Sequence, residues 1–233
     1  MLFRTVLFDC DSTLSSIEGI DELAREHRPA IAELTDAAMR GEVALESVYG
    51  QRLSLIRPSA DEVARIGALY VQHLVPFARE TVAALQSVGA DVRIISGGLR
   101  PAVLMLARAL GVPEESVFAV DVHFDERGAY AGYDSASPLA RQGGKPALIA
   151  AWTDVARPVL MVGDGSTDLE AKAAVDTFVA FAGVVERPNV VAGADRVVRV
   201  NSMLPVLAIA LGGSAVVDSN TRALIDRGLA LLR

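Results

Sequence analysis

Short apolar runs of strand length alternate with longer helical patterns along this chain, and the clearest of the runs break off in small or acidic residues. Thr5–Phe8 (TVLF) ends at Asp9 and Asp11, Val92–Ile95 (VRII) at Ser96-Gly97-Gly98, and Val159–Val162 (VLMV) at Gly163-Asp164-Gly165. Thr177–Phe181 and Arg196–Val200 read as two further strands. Helical spacing fills Arg79–Val88, Pro101–Leu110, Lys145–Trp152 and Thr167–Val175. Strands without a polar face, each followed by a helix, predict an α/β fold: an open parallel Rossmann-like sheet with helices on both faces. In such sheets ligands bind at the carboxyl ends of the strands. The polar clusters fall at those ends.

Two segments break the alternation. Residues 16–75 contain no strand pattern, and Ile20, Leu23 and Ala24, then Ile31, Leu34 and Ala38, then Val63, Ile66 and Tyr70 recur at helical spacing. They are expected to form a helical insert after the first strand. Val117–Tyr133 alternates around Asp125-Glu126-Arg127-Gly128 and is expected to form a small β-hairpin. A last amphipathic helix is expected over Asn220–Arg233.

Composition narrows the function classes. A hydrophobic fraction of 52% can fill a core and excludes a disordered chain. The net charge of -7 argues against a nucleic-acid surface and against docking on anionic membranes. A small anionic substrate stays possible, because a pocket sets its own field. Cys10 is the single cysteine, so no internal disulfide forms. The short apolar start has no signal-peptide character, and the expectation is a cytoplasmic protein. His27, His73 and His123 form no spaced cluster, so zinc is not expected. Trp152 reads as a core residue.

The strand-end residues carry chemistry. Asp9 and Asp11, two apart on an extended strand, can face one site while Cys10 turns inward. Paired carboxylates repel and call for a cation, and with a phosphoryl substrate the cation is Mg2+. The plain alternative is a turn rich in acids. Asp164 ends a strand and Asp168 lies in the first turn of the next helix; capping explains Asp168 but not Asp164 between two glycines. Ser96 and Gly97 precede a helix whose free N–H groups suit a phosphate oxygen, although an ordinary strand-to-helix turn looks the same. Lys145 opens a helix, where a cation is unfavourable to the dipole, and is one of only two lysines in an arginine-rich chain. A point charge touching phosphate and carboxylate would explain it; a solvated lysine is the alternative.

Taken in order, Asp9-Cys10-Asp11-Ser12-Thr13, Ser96-Gly97-Gly98, Gly143-Gly144-Lys145 and Gly163-Asp164-Gly165-Ser166-Thr167-Asp168 resemble the haloacid dehalogenase-like phosphatases. With Glu18-Gly19-Ile20-Asp21-Glu22-Leu23-Ala24 added, the chain is most similar to their phosphoserine phosphatase branch, over about Thr5 to Val200. The resemblance implies that Asp9 attacks phosphorus and that Asp11 serves as acid and then base. It implies Mg2+ on Asp9, the Asp11 carbonyl and Asp164, with Asp168 supporting the metal shell. Ser96, Gly97 and Lys145 would hold the phosphoryl group. Residues 15–75 would be a cap on a catalytic core of 1–14 and 76–233. Within the cap, Glu18 would meet the ammonium and Arg52 the carboxylate of L-phosphoserine, with Met39 and Gly41 in the same pocket. A place in serine biosynthesis follows from that substrate. Leu45, Phe77 and Pro146 depart from the family pattern. Two rivals keep part of this chemistry: a phosphotransferase or a phosphatase of another small ester, and a receiver-type domain phosphorylated on Asp, which has no use for Asp11 or a cap.

Overall fold

The computed structural model describes residues 2–24, 45–213 and 216–232. A six-stranded parallel sheet, in the order β3-β2-β1-β6-β7-β8, forms its centre. The strands are β1 (Thr5–Phe8), β2 (Asp91–Leu99), β3 (Val117–Val120), β6 (Val159–Gly163), β7 (Thr177–Phe181) and β8 (Arg196–Val198). A separate antiparallel pair is made of β4 (Val122–Phe124) and β5 (Tyr130–Tyr133). The chain winds outward from β1 to β3, then returns to β6 on the other side of β1. β1 is therefore the switch point, and its carboxyl end lies between those of β2 and β6.

Alternation along the strands assigns the two faces. Val6 and Phe8 of β1 join Leu160 and Val162 of β6 in one apolar cluster; Leu7, Val159 and Met161 belong to the other. The first face carries α3 (Ala60–Gln72), α4 (Ala78–Ser87), α5 (Arg100–Leu110), α9 (Leu204–Leu211) and α10 (Ser219–Leu231), through residues such as Ile66, Leu85, Leu106, Leu207 and Ile225. The second carries α6 (Gly144–Ala151), α7 (Ser166–Ala171) and α8 (Pro188–Gly193), through Ile149, Ala171 and Val190. Helices cover both faces, as expected of an all-parallel sheet.

Within the insert, α1 (Gly19–Leu23) and α3 are helical where Ile20, Leu23, Val63, Ile66 and Tyr70 recur, α2 (Leu45–Ile56) is a further helix, and Ile31, Leu34 and Ala38 lie outside the described residues. Ser59 opens α3 with a capping box: its hydroxyl accepts from Glu62 N while Glu62 accepts from Ser59 N. The insert is tied to the end of β1 by a bridge between Ser15 and Leu74 and by Val75 N donating to Leu14 O at 2.9 Å. Leu53, Val63, Ile66 and Tyr70 share the apolar cluster of the first sheet face.

Several expected elements are redrawn. Val117–Tyr133 is not one hairpin: Val117–Val120 pairs parallel with β2, and only Val122–Tyr133 folds back on itself. Alternation reports an extended chain but not its partner; Val117 is buried in the cluster that includes α5, and Val120 in the cluster of the opposite sheet face. The helix expected over Thr167–Val175 tightens into a 3-10 turn at Lys172–Ala174. Strand β1 stops at Phe8, and Cys10–Leu14 winds into a wide turn in which Ser12 has φ 49°. Asp9 and Asp11 thus reach one site through a turn rather than through strand alternation. Helix α6 ends before Trp152, whose half-buried ring packs 4.6 Å from Phe118 and under Arg93.

The C-terminal helix has a defined seat. Gly228 of α10 lies so close to α9 that a Cβ would sit 2.2 Å from Leu204 O. Gly228→Ala gains about 1 kcal/mol of helix propensity but faces an overpacking penalty of about 1–3 kcal/mol. The clash involves backbone, so the penalty is expected to win. Thermal unfolding of Gly228→Ala should show a lower Tm than wild type; an unchanged or higher Tm would mean that α10 can slide.

Candidate active site

Lys145 stands at the centre of the site. Its ammonium is 5% exposed and donates to Asp9 Oδ1 at 2.7 Å and to Asp168 Oδ1 at 2.5 Å. Burial alone would lower its pKa, but Asp168 and Asp9 outweigh that and raise it, so the side chain stays charged. A cation at the start of α6 is unfavourable to the helix dipole; the two carboxylates supply the reason for it.

Asp9 follows β1 and extends the ladder through its N–H to Val162 O, 2.9 Å. Burial, and next the charge of Asp168, push its carboxyl well above the ordinary range, against the pull of Lys145. Asp164 closes β6. Its Oδ1 accepts from Thr13 Oγ1 at 3.3 Å, and its Oδ2 meets the guanidinium of Arg187 at 3.0 Å. Burial and Asp168 raise its pKa to about 7. Asp168 is fully buried at the start of α7, and its Oδ2 accepts from Gly165 N at 2.9 Å. Gly163 makes this approach possible: a Cβ there would lie 2.2 Å from Asp168 Cγ.

Asp11 points elsewhere. Its Oδ1 accepts from Gly19 N and from Tyr70 Oη, each at 2.6 Å. Burial, then the charge of Glu18, raise its pKa to about 6, although both hydrogen bonds pull it down. It can therefore exchange a proton near neutral pH, as an acid–base group must.

Asp9, Asp164 and Asp168 each offer a carboxylate oxygen within 4.8 Å of the others. A buried, all-oxygen carboxylate donor set of this kind fits a hard divalent cation such as Mg2+. The Asp11 carboxylate is not in this triad. Both Asp168 oxygens are held by Lys145 and Gly165, and the Asp164 oxygens by Thr13 at 3.3 Å and Arg187 at 3.0 Å.

A cavity of about 520 Å³ opens above these groups, lined by Asp9, Asp11, Gly97, Lys145, Asp164 and Asp168 at its base and by Glu18, Arg52 and Arg187 higher up. Ser96 is fully buried and does not line it; its hydroxyl accepts from Gly98 N at 3.0 Å. Glu18 accepts from Ser12 Oγ at 2.7 Å and from Arg187 at 3.1 Å. Arg52 pairs with Asp21, and its buried Nε has no partner among the described residues. Met39 and Gly41 lie outside the described residues.

Three contributors escape a reading of the sequence. Tyr70 reads as a core position, yet its phenol holds Asp11. Tyr49 donates to Gly97 O at 2.8 Å. Arg187 bridges Glu18 and Asp164 from the segment after β7. A search of every segment after a strand would have reached Arg187, since β7 neighbours β6; nothing in the local sequence marks Tyr49 or the phenol of Tyr70.

Residues 3–176 match the haloacid dehalogenase-like hydrolase family. Bovine phosphoserine phosphatase is 42% identical over 189 residues, which cover 79% of this chain and 84% of the bovine protein. The human phosphoserine phosphatase is 41% identical over the same shares. A substrate-bound phosphoserine phosphatase complex superposes with a TM-score of 0.70 at 24% identity, covering 88% of this chain and 97% of that one, and shares the fold.

The raised carboxyls give a pH signature in the metal-free protein. The folded state keeps protons on Asp11 and Asp164 up to about 6 and about 7, whereas the unfolded chain releases them near 4. Between those values the unfolded state binds fewer protons, so stability falls as pH rises. In chelator, Tm should drop from pH 5 to pH 8, and Asp164→Asn should flatten the drop. Mg2+ should raise the wild-type Tm more than that of Asp164→Asn. A wild-type Tm that climbs with pH in chelator would contradict the assigned burial of charge.

Proposed function

This chain belongs to the haloacid dehalogenase-like hydrolases and, within them, to the phosphoserine phosphatases; on that premise we propose that it hydrolyses free L-phosphoserine through an aspartyl-phosphate on Asp9. The observation that carries the reading is the convergence of Asp9, Asp11 and Lys145 at the base of one cavity whose upper wall holds Glu18 and Arg52. Residues 15–75 then act as the cap, and 1–14 with 76–233 as the catalytic core.

An oxygen of Asp9 attacks phosphorus, and the bond from phosphorus to the serine oxygen breaks. Asp11, protonated at a pKa of about 6, gives its proton to that oxygen. Its Oδ1 is held by Gly19 and Tyr70, which leaves Oδ2 to carry the proton. Water then attacks the acyl phosphate, Asp11 takes the water's proton, and phosphate leaves Asp9. Lys145, ion-paired with Asp9, offsets the charge that builds on the transferring oxygens. Gly97 at the cavity floor offers backbone to the phosphoryl group, while buried Ser96 fixes the neighbouring peptide.

Asp9, Asp164 and the backbone carbonyl of Asp11 would hold Mg2+, with Asp168 positioning Lys145 and the loop at Gly165. When bound, Mg2+ supplies positive charge to the phosphoryl oxygens and to the attacking carboxylate.

Selection of an amino acid needs one anion and one cation on the wall. In this reading Glu18 takes the ammonium, and Arg52, whose Nε has no partner among the described residues, takes the carboxylate. Each charged contact is worth about 1.5–3 kcal/mol, or roughly tenfold to a hundredfold.

Two sets of measurements test this. Asp9→Asn should remove turnover while keeping the Tm near wild type, and calcium should not substitute for Mg2+, since its longer, higher coordination spoils in-line attack. Near-normal activity of Asp9→Asn would end the nucleophile assignment. Glu18→Gln and Arg52→Ala should each lose tenfold to a hundredfold in kcat/KM on phosphoserine, as estimated from those contacts, and little on a plain aryl phosphate. Equal losses on both substrates would make these residues structural, and release of a phosphorylated alcohol when an acceptor alcohol is added would favour transfer over hydrolysis.

A further inference from the structure

A second cavity of about 310 Å³ adjoins the first and is lined by Leu139, Ala140, Arg141 and Gln142. Both cavities are lined by Tyr49, Gly97, Lys145, Ser166 and Thr167. Two spaces thus reach the same buried ammonium, and Tyr49 with Gly97 forms part of the wall they share.

Tyr49 is built into that wall from two sides. Its ring packs on Tyr133 of β5, centroids 5.4 Å apart and tilted by 59°. Its phenol donates to Gly97 O at 2.8 Å. Gly97 C=O and Gly98 N–H belong to one peptide unit, and Gly98 N–H donates to Ser96 Oγ at 3.0 Å. Tyr49 and Ser96 therefore hold this peptide plane from its two edges. A half-buried phenol is held by a hydrogen-bond partner; this one takes Gly97 at the end of β2. The bond joins α2, which also bears Arg52, to that strand end across 48 residues of sequence.

We propose that Tyr49 is a specificity-determining and positioning residue: it partitions the site into two cavities, confines the leaving group to the one lined by Glu18 and Arg52, and orients the Gly97–Gly98 peptide. The inference rests on reading this cavity as the phosphatase site. Positioning and partition separate experimentally, because Phe keeps the ring and loses the hydrogen bond, whereas Ala loses both.

The test compares wild type, Tyr49→Phe and Tyr49→Ala on O-phospho-L-serine and 4-nitrophenyl phosphate, with inorganic phosphate as competitive inhibitor. Tyr49→Phe should lower kcat/KM on both substrates by a similar factor, roughly twofold to tenfold for one hydrogen bond. It should weaken inhibition by phosphate comparably and leave the substrate ratio unchanged. Tyr49→Ala should in addition shift the ratio toward the bulkier aryl ester by about tenfold or more, the scale of pocket-size discrimination. An unchanged ratio in Tyr49→Ala overturns the partition, and unaltered phosphate inhibition in Tyr49→Phe overturns the positioning role. If Tyr49→Ala does not fold, Tyr49→Leu removes the ring and its hydrogen bond to Gly97, and the same direction of ratio shift is required. Should wild type fail to hydrolyse phosphoserine, the proposed substrate falls; the partition is then read from methyl phosphate against 4-nitrophenyl phosphate in the same variants.

Discussion

Negative charge is crowded where water is largely excluded, and the buried ammonium of Lys145 makes that crowding tolerable. Asp9, Asp11, Asp164 and Asp168 come from the ends of β1 and β6 and the turns beyond them, and burial raises the pKa of Asp9, Asp11 and Asp164. Lys145 satisfies Asp9 and Asp168 at once. Removing one partner of such a buried pair leaves an uncompensated charge and typically costs about 3–5 kcal/mol. The contact also joins three elements: the end of β1, the first turn of α6 and the first turn of α7. Stability and chemistry are therefore coupled at one side chain.

Topology explains why these groups meet. Because β1 sits between β2 and β6, the segments after Phe8, Ile95 and Gly163 emerge side by side. Small residues set the close distances there, above all Gly163, which lets Asp168 lie against β6. The insert leaves from the same edge, and its apolar residues merge with the core of the first sheet face. This places Tyr70 on Asp11, Tyr49 on Gly97 and Glu18 beside Arg187. Helices remote in sequence thus contact the buried carboxylates directly. None of the described helices is long and apolar enough to cross a membrane.

Much of this was legible from residues alone. The apolar runs at Thr5–Phe8 and Val159–Val162 announce buried parallel strands, and the acids just past them lie where such sheets bind ligands. Lys145 was marked by its unfavourable place at a helix start, and its two carboxylate partners are the physical answer. Pattern was silent on partners. The alternation of Val117–Val120 looks the same whether the strand pairs with its own hairpin or with β2. The Asp9–Asp11 spacing suits a strand, yet the chain turns at Ser12 with a left-handed backbone.

Local chemistry by itself determined the α/β class, the helical insert and the acids and lysine at the strand ends, because periodicity and strand-end polarity are written within a few residues. Only the tertiary structure decided that the Asp11 carboxylate turns to Tyr70 and Gly19, away from the Asp9–Asp164–Asp168 triad. It alone brought Arg187 onto Asp164 and Tyr49 onto Gly97 at the end of β2. Those contacts join residues from 8 to 59 positions apart through hydrogen bonds that hardly alter local propensity. Their energy depends on where two segments meet, which is settled by packing of the whole sheet and its helices.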